Sequence, residues 1–184
     1  MKKIYITGVI LLVGIWYIFR PIPVPKAPVQ TSAPQVVKNM KLTSTAFGSE
    51  EVIPKEFTCD GKKMHPPFMI SGLPEGTKSL AMIVDDPDAP MGTFTHWVIW
   101  NIDPATREIA AGEIPPKSQE GTNSAGEIGF TPPCPPSGSH RYFFTLFAVD
   151  TTIGLDGKAT KAELEAAMKG HIIEQTNLIG SYGR

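Results

Sequence analysis

Short apolar segments, separated by glycine, proline, asparagine and aspartate, fill the chain from residue 41 to its end. Residues 79–84 and 142–149 are rich in β-branched and aromatic side chains and are bounded by turn-forming residues, which is typical of buried strands. The turn signals recur about every ten residues, as they do in a sandwich of antiparallel strands. The pattern therefore predicts a mainly β domain over residues 41–184.

One helix is predicted late in the chain. Thr160 and Glu163 have the spacing of a capping box, and Leu164, Ala167 and Met168 fall on one side of the helix that would follow. Gly170 suits its C-terminal end. The pattern of residues 171–182 decides neither for a helix nor for a strand.

A different pattern opens the chain. Residues 4–19 are uncharged and mainly apolar, and basic residues flank them at Lys2, Lys3 and Arg20. These 16 residues are somewhat short of the roughly 20 that cross a bilayer. Residues 1–20 therefore form a membrane anchor or a signal peptide. No pair of small residues follows as a cleavage site, which favours an uncleaved single-pass anchor.

The placement of the lysines predicts the orientation of that anchor. Because Lys2 and Lys3 lie at the very start, the N-terminus is expected in the cytoplasm and the domain on the extracytoplasmic side. Cleavage would instead give a secreted or periplasmic protein. Residues 21–40 contain five prolines and are predicted to be an extended linker between the anchor and the domain.

The charge balance excludes some partners. The chain has 17 basic and 18 acidic residues, and Lys2, Lys3, Arg20 and Lys26 are among the six basic residues that precede the first acidic residue, Glu50. Without those four, the chain carries a net charge of about −5. A mildly acidic domain is a poor candidate for binding nucleic acid or a broad anionic membrane surface. Any anion must be captured locally, in a pocket.

Two proline-stiffened loops carry the candidate chemistry. In the first, Asp85-Asp86-Pro87-Asp88-Ala89-Pro90 follows a predicted buried strand and precedes a strand that begins near His96. Simple alternation places His96 on one face of that strand with Val98 and Trp100. The second loop, Pro132-Pro133-Cys134-Pro135-Pro136, leads through His140 into the strand at Tyr142. Alone, each loop also fits a purely structural role, with the aspartates capping turns and the histidines packed in strands.

Together these motifs resemble the two signature regions of the phosphatidylethanolamine-binding protein family, also called Raf kinase inhibitor-like proteins, and its bacterial and archaeal branch in particular. Asp86-Pro87-Asp88-Ala89-Pro90 with His96 matches the first region, and Gly138-Ser139-His140-Arg141-Tyr142 matches the second. The resemblance implies a β-sandwich with a few helices and a final strand near the C-terminus. It also implies a small anion pocket, lined by Asp86, Asp88, His96, Pro135, Pro136, His140 and Tyr142.

The residue types suggest how such a pocket would work. Ionised carboxylates repel a phosphate, so Asp86 and Asp88 are expected to orient His96 and His140, or to raise their pKa values, rather than touch the anion. The Tyr142 hydroxyl and the backbone N–H groups of residues 138–140 would then serve as neutral donors. Where mammalian members carry a further histidine, this chain has Thr95, which argues against binding of an intact phospholipid.

Cys59 and Cys134 are the only cysteines of the chain. They are either two free thiols or one disulfide, and export from the cytoplasm would favour the disulfide.

We therefore expect a non-enzymatic binding module for small phosphorylated or anionic ligands, such as phospholipid headgroups, which also modulates a protein partner as yet unidentified. No cofactor or metal is expected. One alternative is a protease or kinase inhibitor acting through protein contacts. Another is a metal-dependent hydrolase using His96, His140, Asp86 and Asp88, although their spacing matches no metal motif. A Cys134–His140 nucleophile pair is disfavoured by the prolines that flank the cysteine.

Overall fold

The computed structural model describes residues 39–184. The predicted anchor or signal peptide at residues 1–20 lies outside the described residues, as does nearly all of the proline-rich linker. Between residues 39 and 184, no helix is both long enough and apolar enough to cross a membrane.

Nine strands and two short helical segments make up residues 39–184. The strands are β1 (Lys41–Thr43), β2 (Glu51–Val52), β3 (Phe68–Ser71), β4 (Ser79–Asp86), β5 (Phe94–Ile102), β6 (Glu108–Ile109), β7 (Gln119–Glu120), β8 (Ser139–Val149) and β9 (Ile172–Gly183). One turn of 3-10 helix covers Lys55–Phe57, and helix α1 covers Lys161–Met168. The prediction of a mainly β domain with a few helices is confirmed.

The strands form two sheets. The smaller has the order β1-β3-β6, and the larger has the order β2-β9-β8-β4-β5-β7. All pairs are antiparallel except β2 with β9, which run parallel at the edge of the larger sheet. The prediction of a purely antiparallel sandwich is wrong at that edge. Because β2 and β9 lie far apart in sequence, no hairpin imposes an antiparallel direction on them.

The main core lies between the two sheets. From the smaller sheet, Leu42, Phe68 and Ile70 point inward, and from the larger sheet Val84 and Phe144 meet them. All five side chains are buried, so each sheet covers the apolar face of the other. This arrangement is the sandwich that the alternating pattern predicts.

Helix α1 covers part of the opposite face of the larger sheet. Leu164 and Met168 are fully buried and pack in one cluster with Ile83, Val98 and Trp100. The predicted capping box is present: the Thr160 N–H donates to the Glu163 carboxylate at 2.7 Å, and the Thr160 hydroxyl accepts from the Glu163 N–H. The predicted helix is therefore confirmed, with both its N-terminal cap and its buried apolar side.

The ambiguous C-terminal residues form a long strand. β9 pairs with β8 from Ser139↔Gly183 to Val149↔Ile172, and so provides the final strand that the resemblance implies. At Gly180 a Cβ atom would lie only 2.5 Å from Ile53 Cγ1. The absence of a side chain there lets the segment after β2 pack closely against β9.

Candidate functional site

The strand order brings the two predicted loops together at one end of the larger sheet. β4 is central and pairs antiparallel with β5 on one side and with β8 on the other. In antiparallel pairs, the end of one strand lies beside the start of its neighbour. Asp86 at the end of β4 is therefore close to Phe94 at the start of β5 and to His140 at the start of β8.

A β-bulge directs His96 into this site. Val84 pairs with Trp97 and Asp85 pairs with Thr95, which leaves His96 as the extra residue of β5. The prediction that His96 shares a face with Val98 and Trp100 is wrong. Those two residues face helix α1, whereas His96 lines the pocket on the other side of the sheet. Simple alternation fails here because the bulge shifts the register by one residue.

A pocket of about 190 Å³ opens between the loops. It contains five of the seven predicted site residues: Asp86, His96, Pro135, Pro136 and His140. Its other lining residues are Ala89, Pro90, Phe94, Thr131, Pro132 and Cys134. The walls are thus mainly proline rings and an aromatic ring, with the two histidines and one carboxylate as the polar groups.

Asp86 fixes the orientation of His140. The His140 Nδ1–H donates to Asp86 Oδ2 at 2.7 Å, and both side chains are more than nine-tenths buried. The second oxygen, Asp86 Oδ1, accepts the backbone N–H of Asp88 at 2.8 Å. Both carboxylate oxygens therefore have partners, and the predicted role of Asp86 in orienting a histidine agrees with this geometry.

His96 is oriented by a different partner. Its Nδ1–H donates to the backbone carbonyl of Thr131 at 2.7 Å, not to a carboxylate. Burial lowers the pKa of His96 below its usual value, and this effect outweighs the opposing influence of Asp86 and Asp85. The prediction that the pKa of His96 is raised overall is therefore wrong, because desolvation of the ring outweighs the two aspartates.

Asp88 does not line the pocket. Its carboxylate accepts three hydrogen bonds from Arg141, one from the backbone N–H and two from the guanidinium, at 2.7–2.9 Å. These bonds hold the pKa of Asp88 down at about 2. Asp88 thus ties the first loop to the start of β8, and its predicted place in the pocket lining, where it would orient a histidine, has no support in this geometry.

Tyr142 lies deeper than predicted. Its side chain is fully buried below the pocket, with its ring centre 5.2 Å from that of His96. The hydroxyl has no hydrogen-bond partner among the described residues, and burial, followed by the nearby Asp86, raises its pKa. The backbone N–H of Gly138 donates to the Arg184 carbonyl at 3.1 Å, so it is not free to bind an anion as predicted.

A disulfide joins Cys59 to Cys134, with the two Cα atoms 5.4 Å apart. The Cys59 N–H also donates to the Pro133 carbonyl at 3.0 Å. The predicted disulfide is therefore present, and it attaches one wall of the pocket to the segment after β2. Beside it, the Arg184 guanidinium lies 3.4 Å from Cys134 Sγ and bonds Asp60.

Sequence reasoning missed several pocket residues. Thr131 acts through its backbone carbonyl, and a carbonyl gives no signal in the identity of the side chain. Phe94 could have been inferred, because it lies two residues before His96 at the start of the strand, and its ring centre is 4.7 Å from that of His96. Cys134 was recognised as a disulfide partner but not as part of the pocket wall.

The two remaining histidines lie outside the pocket. His65 is buried and stacks on Trp97 with ring centres 4.7 Å apart, and burial lowers its pKa. His171 is exposed and donates from Nδ1 to Asp150 at 2.8 Å. Over residues 39–184, no three histidine, cysteine, aspartate or glutamate side chains are grouped so as to hold a metal ion. The metal-dependent hydrolase stays an alternative prediction.

The fold is a β-sandwich, and its pocket lies between two proline-rich loops. Comparison with known families shows which class of ligand-binding proteins combines these two features. The sequence model of the phosphatidylethanolamine-binding protein (PEBP) family matches residues 43–183. The chain belongs to this family.

Its similar relatives are archaeal and bacterial UPF0098 proteins. The chain is 48% identical to one from Pyrococcus horikoshii over 151 residues, which cover 77% of the chain and 75% of the relative. It is 45% identical to one from Methanothermobacter thermautotrophicus over 150 residues, which cover 79% of the chain and 99% of the relative. The predicted bacterial and archaeal branch is thus confirmed.

Solved structures agree with this assignment. A putative PEBP homologue from Chlamydia trachomatis superposes with a TM-score of 0.78 at 40% identity, over 80% of this chain and 99% of that one. YbcL from Escherichia coli, a member of the mammalian PEBP family, gives a TM-score of 0.75 at 28% identity, over 79% and 99%. These structures share the fold described above.

Proposed function

We propose that this protein binds a small anion with a phosphate-like group in the pocket between the two loops, and that it does so without catalysing a reaction. The observation that carries the proposal is the His140–Asp86 pair. Its 2.7 Å bond from Nδ1 fixes the ring, so Nε2 is the nitrogen that remains for a ligand. Family membership supports a ligand-binding role for the domain.

The charges of the pair suit an anion. A protonated His140 donates to Asp86 from Nδ1 and to a ligand oxygen from Nε2. The Asp86 carboxylate faces that ring, and both of its oxygens already accept hydrogen bonds. The carboxylate therefore acts on the ligand through His140. Such charge-assisted hydrogen bonds are among the stronger ones in proteins.

The pocket dimensions limit the ligand. A volume of about 190 Å³ is below the roughly 300 Å³ at which pockets for drug-sized molecules begin. A phosphate or a small headgroup fits such a volume, whereas acyl chains do not. The proline rings of the walls are rigid, so the volume is set before the ligand binds.

We also propose that the domain lies outside the cytoplasm and is attached to the membrane through residues 1–20. The Cys59–Cys134 disulfide supports this location, because disulfides persist mainly in oxidising compartments.

The experiment is calorimetric titration of the full-length chain with phosphate and phosphoethanolamine. Replacing His140 by alanine removes a charge-assisted hydrogen bond, so the affinity should fall about tenfold or more. His171→Ala is the matched control, because His171 also donates from Nδ1 to an aspartate but lies on the surface outside the pocket. Equal losses in both variants, or no binding by the wild type, would contradict the proposal.

A further inference from the structure

The hydrogen bond from His96 to Thr131 fixes which ring nitrogen carries a proton. A carbonyl oxygen only accepts, so Nδ1 of His96 is protonated whether the ring is neutral or charged. In the neutral ring, Nε2 then carries a lone pair. Among residues 39–184, this nitrogen has no hydrogen-bond partner, and the ring that bears it lines the pocket.

The other polar side chains of the pocket wall are less suited to accept a hydrogen bond from a ligand. Asp86 already accepts one hydrogen bond on each oxygen, from Asp88 and from His140. His140 donates from Nδ1 to that carboxylate, and the proposed function assigns its Nε2 to the ligand as a donor. The neutral His96 ring is therefore the acceptor that the pocket offers to a ligand.

The surroundings of His96 keep the ring neutral. Its side chain is 5% exposed, between Phe94 and Tyr142. The ionisable groups near it are Asp86 and, more distantly, Asp85 from β4, and His140 and Tyr142 from β8. Asp85 points to the opposite side of the sheet, where Lys161 Nζ lies 2.7 Å from its carboxylate. Burial outweighs both carboxylates, and the pKa of His96 is lowered.

We infer that the pocket selects oxyanions that carry a proton, so that it prefers phosphate to sulfate and phosphate monoesters to diesters. This inference rests on the proposed function and names the chemical class of its ligand. A P–OH group donates to His96 Nε2 while another ligand oxygen accepts from His140. One proton is shared between the P–O oxygen and Nε2, so no proton has to be taken up from solvent.

An oxyanion without a proton has no group that can donate to His96. Its oxygen lone pairs face the lone pair of Nε2, and binding requires a proton from solvent against the lowered pKa of His96. Sulfate carries no proton near neutral pH, and neither does the phosphodiester of an intact phospholipid. Inorganic phosphate retains one at every pH at which the protein would be studied. A site built around one hydrogen bond strongly rejects analogues that cannot form it.

Phosphate and sulfate are the decisive probes, since at about pH 8 both are tetrahedral dianions of similar size that differ by one proton. Calorimetry on the full-length chain should show phosphate bound at least about tenfold more tightly. The ratio should narrow as the pH falls through the lowered pKa of His96, because protonation of the ring supplies the missing donor. Equal affinities at pH 8 would overturn the inference and leave the proposed function intact. Failure of both anions to bind would overturn both.

A second pair of probes distinguishes a free phosphate monoester from the headgroup of an intact lipid. Phosphoethanolamine, a monoester, should bind more tightly than glycerophosphoethanolamine, its diester counterpart, near pH 6, where the monoester is partly protonated. A preference for the diester would contradict the inference and indicate the headgroup of an intact lipid.

Two variants test whether the preference for phosphate over sulfate comes from the His96 ring. His96→Gln, whose amide both donates and accepts, should abolish the preference for phosphate over sulfate. His140→Gln should weaken both anions and keep their ratio. Nitrogen-15 NMR of the unliganded wild type provides a test that does not depend on how a variant folds. A His96 ring protonated at Nδ1 alone near pH 8 supports the inference, and a proton on Nε2 would refute it.

Discussion

Asp88 and Arg141 are joined by three hydrogen bonds that link the loop after β4 to the start of β8. The backbone N–H and the Nε–H of Arg141 donate to Asp88 Oδ2 at 2.9 Å, and Nη2–H donates to Oδ1 at 2.7 Å. Since Asp86 and His140 lie within two residues of this contact in sequence, it helps to hold the two sides of the pocket together. Asp88 is thus a positioning residue for the site.

Asp88→Asn should make the protein less stable at neutral pH, and the difference from wild type should shrink in acid. The bonds from Arg141 lower the pKa of the folded carboxyl to about 2, below the roughly 3.9 of an unfolded chain. The contribution is therefore complete above about pH 4 and is lost as pH falls toward 2. Urea unfolding of both proteins at several pH values measures it. The ion pair is partly exposed, so we expect its contribution to be modest. A difference in stability that does not depend on pH would contradict its role.

The sheet pattern and the two loops could be predicted from the sequence because each rests on strong local signals. Apolar alternation fixes which residues face the core, and proline excludes the loops from helices and central strands. The topology then adds what local signals lack. Only the antiparallel placement of β4 between β5 and β8 brings Asp86 beside His140, which is 54 residues away in sequence.

The details of the site could not be predicted, for three physical reasons. The bulge at His96 depends on the register between two strands and not on one sequence segment. The partner of its ring is a backbone carbonyl, which any residue could supply. The sign of its pKa shift depends on how deeply the ring is buried, and the number of nearby aspartates does not reveal this.

Removal of the disulfide should destabilise the protein without changing its fold. Cys59 and Cys134 are 75 residues apart, and in the chain-entropy model closing such a loop stabilises by about 4 kcal/mol. Urea unfolding of the Cys59→Ala, Cys134→Ala double variant should show a loss approaching that value. Weaker ligand binding should accompany it, because Cys134 belongs to the pocket wall. In the wild type, alkylation under denaturing, non-reducing conditions should label neither cysteine.

Gly180→Ala should cost about 1 to 3 kcal/mol of stability through overpacking. The added Cβ would lie 2.5 Å from Ile53 Cγ1 and 2.8 Å from Phe47 Cε2, both of which are buried. Gly154→Ala is the control, since no atom lies within 4 Å of the position of its Cβ. Thermal or urea unfolding compares the two variants. Similar stabilities would mean that the core around Ile53 relaxes more easily than the packing implies.

The direction in which Asp86→Asn changes the affinity for an anion tests how Asp86 acts in the pocket. If the carboxylate acted directly on the ligand, its removal would relieve repulsion and tighten the binding of an anion. In this geometry it acts through His140, and both of its oxygens accept hydrogen bonds. An asparagine accepts at only one of the two positions and points an NH₂ group at a donor in the other. The His140 ring therefore loses its fixed orientation or the loop loses its bond to the Asp88 N–H.

We expect phosphate affinity to fall in Asp86→Asn by about tenfold, the value of a lost charge-assisted contact. Asp150→Asn is the matched control, because it alters the equivalent contact to His171 on the surface and should leave affinity unchanged. Calorimetric titration of wild type and both variants with phosphate measures the effect, after circular dichroism has shown that each is folded. Tighter binding by Asp86→Asn would show that the carboxylate opposes the ligand directly, and that the orientation of His140 does not determine affinity.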